Sequence, residues 1–551
     1  MKKRMPLLLL LFILILTDAG ILLGQTVYSP VRDYGIITFL DELASEGIIS
    51  LNDAVKPYSR QQIAGYLISA HLHTGRLTQR QQKELSFYTR VYRLEVREVA
   101  KEKGLEVPEN QFREPAYSHF GLLINPMAGV YHDSLFTLTV RPILGFSGAH
   151  NSSGSCTTWR NGGEIFGSVG RIGFSAAMRD NHQDPFLGDS IYLTEQSGGH
   201  IKSLTDWSEM TGGITYTWKW GNIGLLKDSP VWGTSYAGSN IFSGRAPSFM
   251  QLRLNVKPVN WLEMTWFFGW LNSKVVDSTR SYWVHNAYGD DYREVYHKKY
   301  ISASMFTLTP FRGVNVSAGN SIIWSDERLT ADYFMPLFFY KSVDHGANSG
   351  IDNSNSQMFI DLSVRTIKHL HLYGTLFIDE MSTRRFKNKD YNFFSWKGGM
   401  RAGNIAPLRN LWVTAECTFT YPLTYQHYVP VLTFENQGYN LGHYLRDNSR
   451  EWYFALDYRP LRAMDVRVFH RRAERGEDFQ SVGGPRVGLP YINPVVWKNI
   501  STGLEFSWQV TGGVYLNASY IDSEVTGEES WTPEWLYGEK KTFTAGLSWS
   551  F

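Results

Sequence analysis

The stretch FTAGLSWSF, residues 543–551, alternates strictly between two chemical classes. Apolar residues occupy every second position from Phe543 to Phe551, while threonine, glycine and serine fill the positions between them. Because successive side chains of a β-strand point to opposite faces, this period of two predicts a strand with one apolar and one polar face. The same alternation recurs over 262–270, 370–378 and 504–510, so we expect many strands of this kind.

The connections between these predicted strands alternate in length. Short connections occur at 221–222, 258–260, 310–313, 367–368, 460–463 and 512–513. Long polar connections occur at 228–248, 274–298, 325–355, 422–450, 476–499 and 526–540. Transmembrane barrels have short periplasmic turns and long outer loops, whereas a β-sandwich has no reason to keep this alternation. The sequence therefore predicts a mainly β protein, a transmembrane antiparallel β-barrel of about 18 strands. We expect the first strand near Leu135, with 117–131 as a lead-in or an extra strand, and Phe551 resembles the last residue typical of outer-membrane barrels.

The N-terminal segment, 1–24, has the organisation of a signal peptide. Lys2, Lys3 and Arg4 precede an apolar run from Leu7 to Leu16, which is too short to span a bilayer. We expect cleavage after Gly24 and export of the remaining chain to the outer membrane of a Gram-negative bacterium.

Residues 25–116 carry helical periodicity instead. Apolar residues follow helical spacing from Ile36 to Ala44, and Gly47 provides a typical helix C-terminus. Capping boxes begin at Ser59 and at Thr78. We therefore predict a small periplasmic α-helical bundle over 25–116, followed by the barrel over 117–551.

Composition and motifs disfavour several classes of function. The chain has 54 basic and 52 acidic residues, a net charge of +2, so we expect no nucleic-acid partner. The sequence lacks the motifs of a catalytic serine, a catalytic zinc or a phosphate-binding loop, and we expect no enzyme, cofactor or metal. Loop acids beside histidines, such as Asp290 with His285, are interpreted as solvated residues. Cys156 and Cys417 are predicted to stay unpaired.

Charged residues stand on the polar face of the predicted strands, which points into the lumen. They are Glu263, His371, Asp379, Glu416, Asp457, Arg467, Arg471 and Glu505. We interpret them as neutralising pairs that fill or brace the lumen, and the lining of an ion-selective channel is the alternative.

Aromatic residues mix with polar ones in the predicted outer loops. Tyr282 and Trp283 stand close to Asp290, and Tyr425 and His427 lie among amide side chains. A sugar ring offers an apolar C–H face and a rim of hydroxyls, so an aromatic plate beside hydrogen-bonding groups suits a glycan. The interfacial girdles of barrels also recruit tyrosine and tryptophan, which leaves a second explanation for each single residue.

Two runs of sequence resemble the capsule assembly protein Wzi family. They are KDSPVWG, residues 227–233, and IFSGRAPSF, residues 241–249, with shorter likenesses at 179–181, 421–427, 441–443 and 448–451. The resemblance covers nearly all of the mature chain. It implies an outer-membrane barrel with a helical bundle at its periplasmic end and a lectin-like role, holding capsular or exopolysaccharide at the cell surface.

The same resemblance and the aromatic loops suggest which residues form the site. Glycan contacts are predicted at Trp232, Arg245, Tyr282, Trp283, Tyr425 and His427. A structural role in the motif is predicted for Lys227, Asp228, Gly233, Pro247 and Phe249. Further expected partners are outer-membrane lipid and periplasmic polysaccharide-export components. A porin or substrate-specific channel is the alternative function.

The chain departs from the family pattern twice. Gly319-Asn320-Ser321 stands where Gly-Glu-Ser is expected, and residues 333–336 read YFMP where Tyr-x-Asn-Pro is expected. We expect these changes, which remove a carboxylate and an amide, to alter the lumen network or the glycan. Arg245 is expected to anchor the 228–248 connection to a lumen carboxylate such as Glu263 or Glu416, and the alternative is contact with an acidic sugar.

Overall fold

The computed structural model describes residues 26–28, 34–105, 120–124, 127–133, 135–286, 289–325, 330–347, 353–388 and 391–550. Eighteen of the strands in this part of the chain form one closed antiparallel barrel, which confirms the predicted fold. The wall strands are β1 (Phe136–Asn151), β2 (Gly154–Val169), β3 (Ile172–Asp184), β4 (Asp206–Trp218), β5 (Gly221–Asp228), β6 (Phe249–Val259), β7 (Leu262–Val276), β8 (Tyr296–Phe311), β9 (Val314–Trp324), β10 (Ser354–Val364), β11 (Leu370–Glu380), β12 (Phe393–Ile405), β13 (Leu408–Thr420), β14 (Ser449–Tyr458), β15 (Met464–Gly476), β16 (Val495–Gln509), β17 (Val514–Gly527) and β18 (Gly538–Trp549). The predicted signal peptide and Phe551 lie outside the described residues.

The barrel closes where β18 pairs with β1, from Phe543 opposite His150 to Trp549 opposite Leu144. A hairpin of two shorter strands, Phe120–Ile124 and Met127–His132, pairs with the remaining part of β1. The described residues of the stretch that was ambiguous in the sequence, 120–124 and 127–131, therefore extend the edge of the sheet at the seam and add no strand to the eighteen of the wall.

Connection lengths follow the predicted alternation. The short turns lie at 170–171, 219–220, 260–261, 312–313, 365–369, 406–407, 459–463 and 510–513. The connections at the other end are long, except for the tight hairpin at 152–153 between β1 and β2. Apolar side chains such as Phe146, Ile214 and Leu225 are exposed on the outer face of the wall, as a bilayer requires. Among the described residues, no helix is both long enough and apolar enough to cross a membrane.

The N-terminal region forms the predicted helical bundle. Its helices are α1 (Tyr34–Ser45), α2 (Arg60–His71), α3 (Gln79–Val91) and α4 (Arg93–Glu102). Ser59 and Thr78 form complete capping boxes, and Gly47 follows α1 with a φ of +66°. A core of apolar side chains holds the helices together, including Phe39, Leu40, Leu67, Leu85 and Tyr88. Two short helices, α5 (Tyr340–Ala347) and α6 (Thr383–Asn388), lie in connections between wall strands.

The bundle docks on the short-turn end of the barrel through buried ion pairs. Arg459, in the turn after β14, donates to Glu42 of α1 at 2.5 Å and to Glu84 of α3. Arg80 of α3 also donates to both of these carboxylates. Arg312, in another turn, donates to the carbonyls of Gly47 and Ile48. The helical bundle therefore covers the opening at the short-turn end of the barrel and is fixed there by charge-assisted hydrogen bonds.

Cys156 and Cys417 are both free thiols, which confirms the prediction that they do not pair.

We predict that Arg459→Ala destabilises the docked bundle strongly. The change leaves Glu42 and Glu84 buried with Arg80 as their remaining cation, and breaking a buried ion pair costs about 3–5 kcal/mol. The measurement is the temperature at which the compact, heat-modifiable gel band is lost. Arg409→Ala, at an exposed position at the start of β13, is the control. Equal transition temperatures for the two variants would contradict the proposed role of the pair.

Candidate functional site

The outer connection between β5 and β6, residues 229–248, folds into the lumen. Its short strand Val231–Trp232 pairs on one side with Phe242–Ser243 of the same connection. On the other side it pairs with Val55–Lys56, which enters the lumen from the bundle between α1 and α2. The Gly233 N–H also donates to the Ala54 carbonyl at 2.8 Å. A three-stranded sheet inside the barrel thus joins chain from the periplasmic end to chain from the outer end.

Carboxylates of the wall hold the tip of this inward-folded connection. Asp361 of β10 accepts hydrogen bonds from the backbone N–H of Thr234 at 2.7 Å and from its hydroxyl at 3.2 Å. Glu416 of β13 accepts from the backbone N–H of Tyr236 at 2.9 Å and pairs with Lys397. Each carboxylate satisfies a backbone donor that would otherwise be buried without a partner.

The Tyr236 side chain reaches the bundle itself. Its hydroxyl donates to Asp41 of α1 at 2.8 Å and lies 2.8 Å from Nδ1 of His371 on β11. A side chain that enters from the outer loop therefore contacts a helix of the periplasmic bundle directly.

An apolar cluster fills the lumen around the inward-folded connection. The Trp232 ring contacts Phe242 and Phe267 edge-on, with centroids 5.2 and 5.1 Å apart. The connection between β13 and β14, residues 421–448, closes over the cluster from outside, where Tyr425 donates to the Asn240 carbonyl at 2.7 Å. Other members are Ile241, Phe249, Ile301, Met305, Ile323, Phe359, Phe377, Leu432, Phe434 and Leu441.

This packing corrects the predicted roles of two aromatic residues. Trp232 is 1% exposed and Tyr425 is 2% exposed. Neither ring has a face open to a sugar, because both rings pack inside the apolar cluster. The sequence identified them as aromatic residues of long connections, and for 228–248 it left open whether the connection lies outside or folds back into the mouth of the barrel.

Arg245 is an anchor, but its partners are not the lumen carboxylates we expected. Its guanidinium donates to the carbonyls of Thr194 and Tyr192, both at 2.7 Å, and lies over the Tyr439 ring with the Cζ atom 5.2 Å from the centroid. Burial, together with the neighbouring Arg446, lowers the pKa of Arg245 to about 10. Arg245 lies where the connection returns to the outer rim, next to the 185–205 connection. Its guanidinium therefore binds carbonyl oxygens of 185–205, and not the carboxylates of Glu263 or Glu416.

The other motif residues shape the entry of the connection into the lumen. Asp228 pairs with Arg253 at 3.1 Å, and the Pro247 carbonyl accepts from Asn436 at 2.9 Å. Phe249 belongs to the apolar cluster, and Lys227 stands at the end of β5 opposite Met250. Gly233 has a φ of +95°, in the region that favours glycine.

His427 is nearly buried. Its Nδ1 accepts from the Val429 N–H at 3.1 Å, and its ring stacks on Tyr428 with centroids 4.3 Å apart. The imidazole therefore stabilises its own loop, and Tyr428 occupies one ring face.

Tyr282 and Trp283 are exposed, in contrast to Trp232 and Tyr425. They lie on a hairpin in the connection between β7 and β8, made of Tyr282–Asn286 and Gly289–Arg293. Trp283 is 60% exposed and Tyr282 is 57% exposed. Trp283 also pairs across the hairpin with Tyr292, their ring centroids 5.1 Å apart. This hairpin presents aromatic rings and the Asp290 carboxylate to the outside.

Most of the charged lumen residues singled out in the sequence form the predicted neutralising pairs, whereas Asp379 accepts a hydrogen bond from Gln357 at 3.3 Å. The Asp457 carboxylate forms ion pairs with the guanidinium groups of Arg467, at 2.6 Å, and Arg401, at 3.2 Å. Arg471 contacts Glu451 at 3.2 Å and Glu195 of an outer connection at 2.8 Å. These ion pairs join wall strands to one another and, through Arg471 and Glu195, join the wall to an outer connection.

Asp41, Asp53 and His371 approach one another closely enough to offer three metal ligands. Arg365, however, donates from one nitrogen to Asp41 at 2.6 Å and to Asp53 at 2.7 Å. The guanidinium therefore occupies the position of a cation between the two carboxylates, and these residues act as an ion-pair network.

A polar cavity of about 160 Å³ remains between the inward-folded connection and the wall strands β2 to β5. Its lining includes Glu164, Arg179, Glu209, Ser175 and Ala177. Small wall residues such as Ser175 and Ala177 leave space for water there.

We predict that Glu416→Ala releases the inward-folded connection. The change leaves Lys397 and the backbone N–H groups of Tyr236 and Ala237 without their shared acceptor. Trypsin added to intact cells should then cut after Arg245 about tenfold faster, measured by mass spectrometry of released peptides.

Glu505→Ala is the matched control, because this lumen carboxylate is 42% exposed and lies 3.8 Å from its nearest arginine. Equal protection of Arg245 in the Glu416 variant and the unchanged protein would show that Glu416 does not hold the connection.

Comparisons with known proteins reveal similarity of fold only. No family model and no curated protein match the chain. Among solved structures, it is similar to Escherichia coli Wzi, described as an outer-membrane protein involved in group 1 capsule assembly and a carbohydrate-binding β-barrel, with 12% identity, a TM-score of 0.57 and coverage of 96% of this chain and 99% of Wzi. OprD of Pseudomonas aeruginosa shows 10% identity, a TM-score of 0.41 and coverage of 75% and 94%. OccAB2 of Acinetobacter baumannii shows 9% identity, a TM-score of 0.41 and coverage of 75% and 97%. The chain thus has the architecture of an outer-membrane β-barrel.

Proposed function

We propose that this protein attaches capsular polysaccharide or exopolysaccharide to the outer membrane as a non-catalytic, lectin-like barrel. The observation that carries the proposal is the contrast between the two aromatic groups. The aromatic residues Trp232 and Phe242 of the inward-folded connection are buried in the apolar cluster of the lumen. By contrast, Tyr282, Trp283 and Tyr292 are exposed on an outer hairpin. A filled lumen suits surface attachment better than passage of solute.

The exposed hairpin has the chemistry that a glycan requires. The Trp283 and Tyr292 rings offer apolar plates, and Asp290 and His285, joined at 2.6 Å, offer hydrogen-bonding groups beside them. The similarity to Wzi, whose description includes carbohydrate binding, agrees with this function at the level of fold. The proposal includes a signal peptide removed after Gly24, outer-membrane lipid around the wall and periplasmic export components at the bundle.

A solute channel is the second candidate, and the polar cavity is the observation that favours it. Glu164, Arg179 and Glu209 line a space beside the inward-folded connection that is wide enough for water. A porin of this strand number, however, has an open aqueous lumen, while here an internal sheet and an apolar cluster occupy it.

We predict that Trp283→Ala weakens binding of the source organism's surface polysaccharide by about tenfold, because one aromatic plate contributes about 0.5–1.5 kcal/mol beyond its buried area. The measurement is binding of labelled polysaccharide to the purified full-length protein, together with retention on cells. The chain length of the polysaccharide after incubation is followed in parallel, and we expect it to stay unchanged.

The matched control is Trp261→Ala, which removes an exposed tryptophan at a short turn on the opposite end of the barrel. Equal loss in both variants, or no loss in either, would remove the hairpin from the proposed site. Shortened polysaccharide chains would replace attachment with an enzyme activity.

We predict no steady porin-sized opening of the full-length protein in a planar bilayer. Deleting the tip 235–239 removes Tyr236 and Ala237, which are held by Glu416, and should produce a larger, stable conductance. The deletion variant shows that the assay can detect an open lumen. Equal conductance with and without the tip would favour the channel.

A further inference from the structure

A second outer connection, the one between β9 and β10, folds onto the outside of the wall. Its described part, 330–347, contains the short helical turn Ala331–Phe334 and α5. The Phe334 ring stacks on Phe268 of β7, with centroids 4.2 Å apart and an interplanar angle of 18°. The Tyr333 ring packs against the Trp324 ring of β9, with the ring centroids 4.7 Å apart. We call residues 333–347 the wall segment.

The wall segment covers polar side chains on the outer face of the barrel. Val316 is exposed on this face, and Asn320 stands four positions further along β9, so strand alternation places Asn320 on the same face. Ser304 and Ser302 of β8 also lie there, opposite Trp266 and Phe268 of β7. All three polar side chains are buried, at 8%, 0% and 0% exposure respectively.

Asn320 therefore lies outside the lumen network, which was one of the two places where the departures from the family pattern were expected to act. The Asn320 side chain points outward and donates to the Ser304 hydroxyl at 3.0 Å. Its oxygen accepts from the Tyr340 N–H at 2.9 Å. The two departures from the family pattern, at 319–321 and 333–336, therefore lie in one cluster on the outer wall.

Tyr340 completes the hydrogen bonds of this cluster. Its hydroxyl is 2.9 Å from the Ser302 hydroxyl and accepts from the Trp266 indole at 2.9 Å. Polar groups that face hydrocarbon without a partner cost several kcal/mol each. The wall segment and the wall thus satisfy each other's hydrogen-bonding groups, which would otherwise be exposed to lipid without a partner.

The depth of this cluster follows from strand length. The strand β9 has 11 residues, about the number that a tilted strand needs to cross the hydrocarbon core. Its first residue, Val314, follows the short turn at the periplasmic end, and its last, Trp324, lies at the outer end. Asn320 therefore lies within the hydrocarbon layer, in its outer half, and so does the part of the wall segment that contacts it.

The exposed surface of the wall segment is apolar over residues 335–339, before α5, whereas Ser342 and His345 of α5 are exposed polar residues. Leu337 is 69% exposed, and Met335, Phe338 and Phe339 are also exposed. These residues continue the exposed apolar surface of the neighbouring wall, where Leu308, Val316 and Ile360 lie. A patch of this kind, at this depth, is adjacent to lipid.

We propose that the wall segment is inserted in the outer leaflet and that Met335, Leu337, Phe338 and Phe339 bind lipid acyl chains. The segment seals a polar seam in the wall on one side and adds apolar contact area with the membrane on the other. This inference does not rest on the proposed polysaccharide function.

The test uses the full-length protein in lipid nanodiscs with a nitroxide at Leu337→Cys, after replacement of Cys156 and Cys417 by alanine. Relaxation by oxygen, which concentrates in lipid, is compared with relaxation by a water-soluble nickel chelate. Leu204→Cys, at a 91% exposed loop position, is the water reference, and Phe454→Cys, on the outer face of β14, is the lipid reference. We expect the oxygen-to-nickel ratio at Leu337 to match the lipid reference and to exceed the water reference at least about threefold.

Two results would overturn the proposal. A ratio at Leu337 equal to that at Leu204 would place the segment in water. Poor access for both reagents, with dipolar broadening between labels, would show that a second copy of the chain covers the patch.

A second variant tests the attachment of the segment. Tyr340→Phe removes the hydroxyl shared by Ser302 and Trp266, so we expect nitroxide mobility to increase at Leu337 and stay constant at Phe454. Tyr520→Phe, at an exposed position on β17, is the matched control. Unchanged mobility at Leu337 in the Tyr340 variant would contradict the role of this hydroxyl.

Discussion

An 18-stranded wall encloses more space than its own side chains can occupy, and backbone placed in that space must find hydrogen-bond partners. Both requirements are met by the sheet that forms inside the lumen. Val55–Lys56 enters from the bundle and Val231–Trp232 from the outer connection, and each satisfies backbone groups of the other. Filling the barrel and docking the bundle are therefore linked. Among the described residues, Val231–Trp232 is the strand with which Val55–Lys56 pairs, and without Val55–Lys56 one edge of Val231–Trp232 would lose its partner.

Buried charges determine where the inserted chain can stop. Glu416 is compensated by Lys397 and by backbone N–H groups at the tip of the connection, and Arg365 is compensated by Asp41 and Asp53 of the bundle. A buried charge that loses its partner is costly. A shift of the connection along the lumen would take its backbone N–H groups away from Glu416, and a shift of the bundle would take Asp41 and Asp53 away from Arg365. The hydrogen bonds of Glu416 and the ion pairs of Arg365 thus fix the inserted chain at one position in the lumen, whereas apolar contacts alone would allow several positions.

The strand pattern, the connection lengths and the two helix caps were predictable because each depends on local periodicity and turn chemistry. The direction in which a long connection folds does not depend on local sequence. For this reason Trp232 and Tyr425 were expected in contact with a sugar, although both are packed inside. The change at Asn320 was expected to act on the lumen network or the glycan, although Asn320 faces the outer wall. Trp283, on a hairpin with its own local pairing, lies exposed as an outer-loop residue should.

Exceptions to the polarity of the wall explain where the two folded connections go. Phe267 and Ile301 are apolar residues on the lumen face, and the connection that enters the lumen brings Trp232 to cover them. Ser302 and Asn320 are polar residues on the lipid face, and the connection that descends outside brings the hydroxyl and the N–H of Tyr340 to satisfy them. A wall that followed the rule of polar inside and apolar outside at every position would offer neither connection a complementary surface. The direction in which each connection folds is therefore determined by wall residues that break the rule of polar inside and apolar outside, and not by the sequence of the connection alone.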